Sequence, residues 1–94
     1  MKKLIVLTYQ LSPFHNYAEF YDRLKELCPD YQHFLEDTWL VYTDVPIDTL
    51  YDELLPLMHI QEGSISRLFI CEMGHEFKGF AQKSLWPWIR KRQS

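Results

Sequence analysis

Glycine and proline are scarce in this chain, three and five residues in 94. That excludes a loop-rich, collagenous or low-complexity protein. Cysteine is scarcer still: Cys28 and Cys71 stand far apart, with no C-x-x-C pair and no disulfide framework. Both read as small buried hydrophobes. No apolar run approaches the roughly 18 residues of a membrane span. The opening MKKLIVLTYQL has the lysines of a signal peptide, but Thr8, Tyr9 and Gln10 interrupt its apolar run and no small-residue cleavage site follows. It reads as a buried first strand, and the chain as cytoplasmic. There is no P-loop, dinucleotide fingerprint, nucleophile elbow or His-Glu-x-x-His.

What is present is a globular composition, 47% hydrophobic and 16% aromatic. Ninety-four residues suffice for one core, so residues 1–94 read as a single domain with 76–94 as a C-terminal extension. The charge is uneven. Residues 1–66 carry four basic and eleven acidic side chains, net −7, and residues 67–94 carry six and two, net +4. A uniformly basic nucleic-acid binder is not of this kind.

Along the chain, residues 2–11 read as a strand, apolar on both faces at Leu4-Ile5-Val6-Leu7. Ser12-Pro13 ends it. Residues 16–28 carry a helical stripe through Tyr17, Phe20, Tyr21, Leu24 and Leu27 or Cys28, and Pro29 stops it. In HFLEDTWLVYTD, residues 33–44, two alternating segments flank the acidic pair Glu36-Asp37, the pattern of a hairpin. Trp39 and Val41 fall on one face, Leu40 and Tyr42 on the other. Pro46 opens a second helix with Ile47, Leu50, Tyr51, Leu54 and Leu57 or Met58 as its stripe, and Pro56 bends or ends it. Asp48, Asp52 and Glu53 belong to its solvated side. Residues 66–73 read as a last strand, with Leu68, Phe69, Ile70 and Cys71 in its core. The tail is too apolar to hang free, and Pro87 restricts any helix or interior strand within it. The order strand–helix–strand–strand–helix–strand predicts an α+β, ferredoxin-like βαββαβ fold. Two helices then cover one face of a four-stranded antiparallel sheet, and the tail forms an extra strand or a short helix.

The strand ending in Tyr9-Gln10-Leu11, then NYAEFYDRLK, the hairpin HFLEDTWLVYT, the late strand LFICEMG, the aromatic KGF and a final Trp together resemble the small bacterial SinR-like proteins. These are similar in fold to the small CRISPR-associated ferredoxin-like endonucleases and to VapD-type ribonucleases. The resemblance implies a homodimer into which the tail crosses, with Phe77, Phe80, Trp86 and Trp88 as contacts. It also implies a bacterial defence or toxin–antitoxin setting. The endonucleases carry an Asp at the end of the first strand, paired across the dimer around Mg²⁺. The matching position here is Gln10, a neutral amide and a poor Mg²⁺ ligand.

Other candidate groups are thin. His15, His33, His59 and His75 have no zinc-like spacing, and solvated or capping roles are expected. Convergence of His15 and His33 near Tyr9 and Gln10 would suit a metal-free ribonuclease with histidine as base. Lys78, Lys83, Arg90, Lys91 and Arg92 would hold phosphates, and Trp86 and Trp88 would stack on bases. Two expectations follow. One is a non-catalytic homodimeric interaction or accessory module without cofactor, binding a protein partner and no membrane. The other is a nucleic-acid-binding protein or ribonuclease using Mg²⁺.

Overall fold

The computed structural model describes residues 1–11, 17–58 and 65–93. Its elements run β1 (Lys3–Gln10), α1 (Tyr17–Leu27), β2 (Tyr31–Leu35), β3 (Thr38–Thr43), α2 (Ile47–Leu54), a 3₁₀ turn (Leu55–Met58), β4 (Arg67–Glu72) and α3 (Leu85–Arg92). The four strands form one sheet in the order β2-β3-β1-β4, with every neighbouring pair antiparallel. This is the ferredoxin-like arrangement expected from the element order.

Strand alternation divides the side chains of the sheet between two cores. On the first face, Ile5, Leu7 and Tyr9 of β1 and Trp39 and Val41 of β3 meet Phe20, Leu24 and Cys28 of the α1 region and Leu50, Leu54 and Met58 from α2 and the turn after it. The helical stripes are buried as their spacing requires. Arg23 ties α1 to α2 through Glu53 at 2.8 Å, which moves Glu53 from the solvated group to an interhelical ion pair. Pro56 lacks an amide hydrogen and crowds the carbonyl four residues back, so the α-helical ladder stops at Leu54.

The second face is covered by the chain's own C-terminus. Leu85 and Ile89 of α3 pack on Leu4 and Leu40, with Val6, Phe34, Tyr42, Met73, Ala81, Trp86 and Trp88 around them. The tail is therefore a short helix. Pro87 is compatible with it because it lies in the first turn, where the amide hydrogen has no helical partner. Arg92 anchors the end of α3. Its Nε and Nη2 donate to the two carboxylate oxygens of Asp30 at 2.8 and 2.9 Å, and its guanidinium lies 4.1 Å from the Trp88 ring centroid.

The hairpin is irregular in one place. Gln32 faces Leu40, but Leu35 faces Thr38, a one-residue shift that marks a bulge between Gln32 and Leu35. The bulge breaks the alternation of β2 only at Leu35, and His33 keeps the face of Tyr31. His33 reaches the first face, where its ring stacks on Trp39 at 4.5 Å, while Phe34 packs with the second core and Leu35 is exposed.

Of the two cysteines, Cys28 is buried and Cys71 is half-buried on the edge strand β4. The expectation of two buried thiols therefore holds for Cys28 alone. Burial raises the Cys28 thiol above its ordinary value, against a smaller opposing contribution from Thr43. No helix among the described residues is long and apolar enough to cross a membrane.

Candidate functional site

Two places on the fold gather chemistry. The first is the β2–β3 turn at the end of β1. The backbone carbonyl of Glu36 receives the Tyr9 hydroxyl at 3.1 Å and the Tyr21 hydroxyl at 3.4 Å, and lies 3.0 Å from His33 Nε2. The Tyr9 oxygen in turn accepts the indole N–H of Trp39 at 2.9 Å. The Asp37 carbonyl accepts the Tyr9 amide at 3.0 Å. Tyr21 and Tyr31 close on Trp39 at centroid distances of 5.5 and 4.8 Å. The result is an aromatic cage that pins an acidic turn to the end of the first strand.

Its groups are engaged with one another. Burial pushes the Tyr9 phenol well above its ordinary value of 10.0, the Tyr21 hydroxyl adds to the rise, and the Trp39 N–H opposes it. A phenol held protonated in this way is a hydrogen-bond bridge and not a base at neutral pH. One nitrogen of His33 is occupied by the Glu36 carbonyl. The indole ring and the turn carbonyl therefore account for His33 as a positioned structural ring.

Tyr9, Gln10, Tyr17, Leu35, Glu36 and Asp37 line an open cavity of about 540 Å³ above the cage. Tyr9 and Gln10 share this cavity, and His33 meets Tyr9 only through the Glu36 carbonyl. His15 lies outside the described residues, as does His59. Among the described residues, no three His, Cys, Asp or Glu side chains converge as a metal-binding group. Among the described residues, Glu36 and Asp37 are the carboxylates that line the cavity with Gln10.

Tyr9→Phe tests the bridge. It leaves the buried Trp39 N–H without its acceptor and is expected to lower unfolding free energy by about 1–3 kcal/mol in urea titration. The pH dependence follows from the raised phenol. The protonated form is favoured in the fold, so its contribution is complete below about pH 10 and is lost as pH rises toward the folded value. Tyr9→Phe should therefore lose less stability than wild type above that pH. An equal alkaline loss would refute the assignment.

The second place lies beside α3. Val6, Phe34, Leu35, Leu40, Met73, Phe77, Lys78, Gly79, Phe80, Ala81, Leu85, Trp86 and Ile89 form an open, mainly apolar groove of about 390 Å³. Phe80 is fully exposed, and Leu35 and Phe77 are also among the exposed large hydrophobics. On the edge strand of the same sheet face, Phe69 is 63% exposed.

The tail residues expected to meet a second protomer separate into two sets. Trp86 and Trp88 are partly buried against the chain's own sheet, and only Phe77 and Phe80 stand free. The basic residues also separate. Lys78, Lys83, Arg90 and Lys91 are exposed, whereas Arg92 is committed to Asp30 and Trp88. The expectation that Phe69 lies in the core is corrected, since it sits on the uncovered side of an edge strand, and the exposure of Leu35 had no signal in the sequence. The bulge that displaces Leu35 leaves no trace in the alternation of the sequence.

Fold and sites together define a ferredoxin-like α+β protein with a sheet covered on both faces and an apolar groove along its C-terminal helix. Comparison with protein-family models, curated proteins and solved structures gave no match.

Proposed function

We propose that the protein is a non-catalytic interaction module whose working surface is the second sheet face beside α3. The carrying observation is the groove itself. Soluble domains rarely leave a contiguous apolar trough open, and large exposed apolar surfaces mark sites of association. Here the trough ends in a fully exposed Phe80. The polar groups around Tyr9 contrast with it, because they satisfy one another and present no base–nucleophile pair.

A second copy of the chain is one partner compatible with this surface, through Phe77 and Phe80. The ribonuclease reading rests on the basic tail and on His33 beside Tyr9 at the β2–β3 turn. It is weakened where Arg92 and Trp88 engage each other. The two readings part in one assay. Full-length protein incubated with single-stranded and hairpin RNA, with Mg²⁺ or Mn²⁺, is expected to leave the RNA intact. Cleavage that His33→Ala or Gln10→Ala abolishes would overturn the proposal.

A further inference from the structure

We propose that the groove beside α3 binds an acidic amphipathic helix from another protein, with its apolar stripe in the trough and its carboxylates against the tail's lysines and arginines. The inference rests on the interaction-module reading and adds the chemistry of the partner.

The floor of the trough is built from different elements: Val6 from β1, Leu40 from β3, Phe34 from β2, and Leu85 and Ile89 from α3. A concave surface of this kind receives a stripe of side chains, as a helix supplies at i, i+3, i+4 and i+7. An open strand edge would instead offer backbone hydrogen bonds.

The charge is asymmetric. Residues 77–94 contain no Asp or Glu. Lys78, Lys83, Arg90 and Lys91 are exposed, and among the described residues none has a carboxylate partner. Lys78 lines the groove directly. Glu36 and Asp37 lie beyond Leu35, so the acidic residues of the occupant belong at the Lys78 side.

The same observations disfavour RNA. One face of Trp88 is covered by Arg92, whose charge is matched by Asp30, so that ring face and that cation are withdrawn from a polyanion. Residues 1–66, net −7, would repel an extended phosphate backbone. A short acidic helix confined to the tail avoids that field, since screening limits it to about 10 Å at 0.1 M salt.

The test uses three fluorescein-labelled peptides with Leu and Phe at helical spacing, their remaining positions carrying Glu, Gln or Lys. Anisotropy is measured with the full-length protein, and single-stranded RNA serves as competitor. The acidic peptide should bind at least roughly tenfold more tightly than the basic one, about 1.4 kcal/mol, and more weakly as salt rises. Phe80→Asp, at a fully exposed position, should keep the circular dichroism of wild type and weaken binding by a similar factor. Lys78→Glu combined with Lys83→Glu should remove the preference for acid.

Equal binding of all three peptides, still lost in Phe80→Asp, would overturn the charge inference and leave the interaction-module reading standing. No binding by any peptide, together with a dimer seen by sedimentation and lost in Phe80→Asp, would assign the groove to a second copy. That outcome overturns this inference alone. No peptide binding and no self-association would overturn both. RNA that displaces the acidic peptide at lower concentration would also overturn both, in favour of nucleic acid.

Discussion

Trp39→Ala is expected to remove most of the protein's folding free energy. The ring is fully buried at the centre of the first core, stacked by His33 and met by a tilted Tyr31, and its N–H is held by Tyr9. Truncating a buried Trp costs about 3–5 kcal/mol in transfer and cavity terms. A domain of this size has a total of about 5–15 kcal/mol, and a short chain falls toward the lower end. The same change also removes the donor of the bond to Tyr9 and the surface against which His33 lies. Trp39→Phe keeps much of the packing and should cost less than half as much. Urea titration followed by far-ultraviolet circular dichroism reads both variants. A Trp39→Ala protein within about 1 kcal/mol of wild type would mean that the cage is not the centre of stability.

Removing residues 83–94 should give a chain that aggregates on expression. The deletion takes away Leu85 and Ile89, each worth about 1.5–3 kcal/mol of burial. It also exposes Leu4 and Leu40, both buried in the intact chain, together with Val6 and Tyr42 around them. Asp30 loses the guanidinium that meets it in a bidentate pair. A bare apolar sheet face on a small domain is a direct route to intermolecular association. Solubility after expression and sedimentation velocity decide the matter. A soluble monomer with wild-type cooperativity would show that α3 is an appendage and not the lid of a core. The groove would then lose its wall, and with it the structural basis of the interaction reading.

Much of the fold was legible before the structure. The stripe Phe20–Leu24–Cys28, the alternation around Trp39 and the double apolar character of β1 are direct consequences of helical and strand periods. Pro29, Pro46 and Pro56 act where their missing amide hydrogens predict. The candidate site was less legible. Convergence of His15 and His33 on Tyr9 and Gln10 was only a condition of the ribonuclease reading, and the cage that forms joins Tyr9, Tyr21 and His33 through one Glu36 carbonyl offered to several donors. Backbone carbonyls carry no sequence signature. Arg92 looked like one more cation of a phosphate-binding tail. Its pairing with Asp30 spans 62 positions and follows only from the folding of α3 over the sheet.

By itself the sequence determined the elements, their order and the two-faced pattern of each strand, because local periodicity and proline sterics act over a few residues. The tertiary structure alone decided three things. A bulge in β2 set Leu35 opposite Thr38 and left it exposed, since one inserted residue inverts the faces of all that follow, whereas His33 kept the face of Tyr31. The tail closed on its own sheet as a helix, since Leu4 and Leu40 needed a cover that Leu85 and Ile89 could supply. The cover is shorter than the face beneath it, and the uncovered remainder is the groove that ends at Phe80.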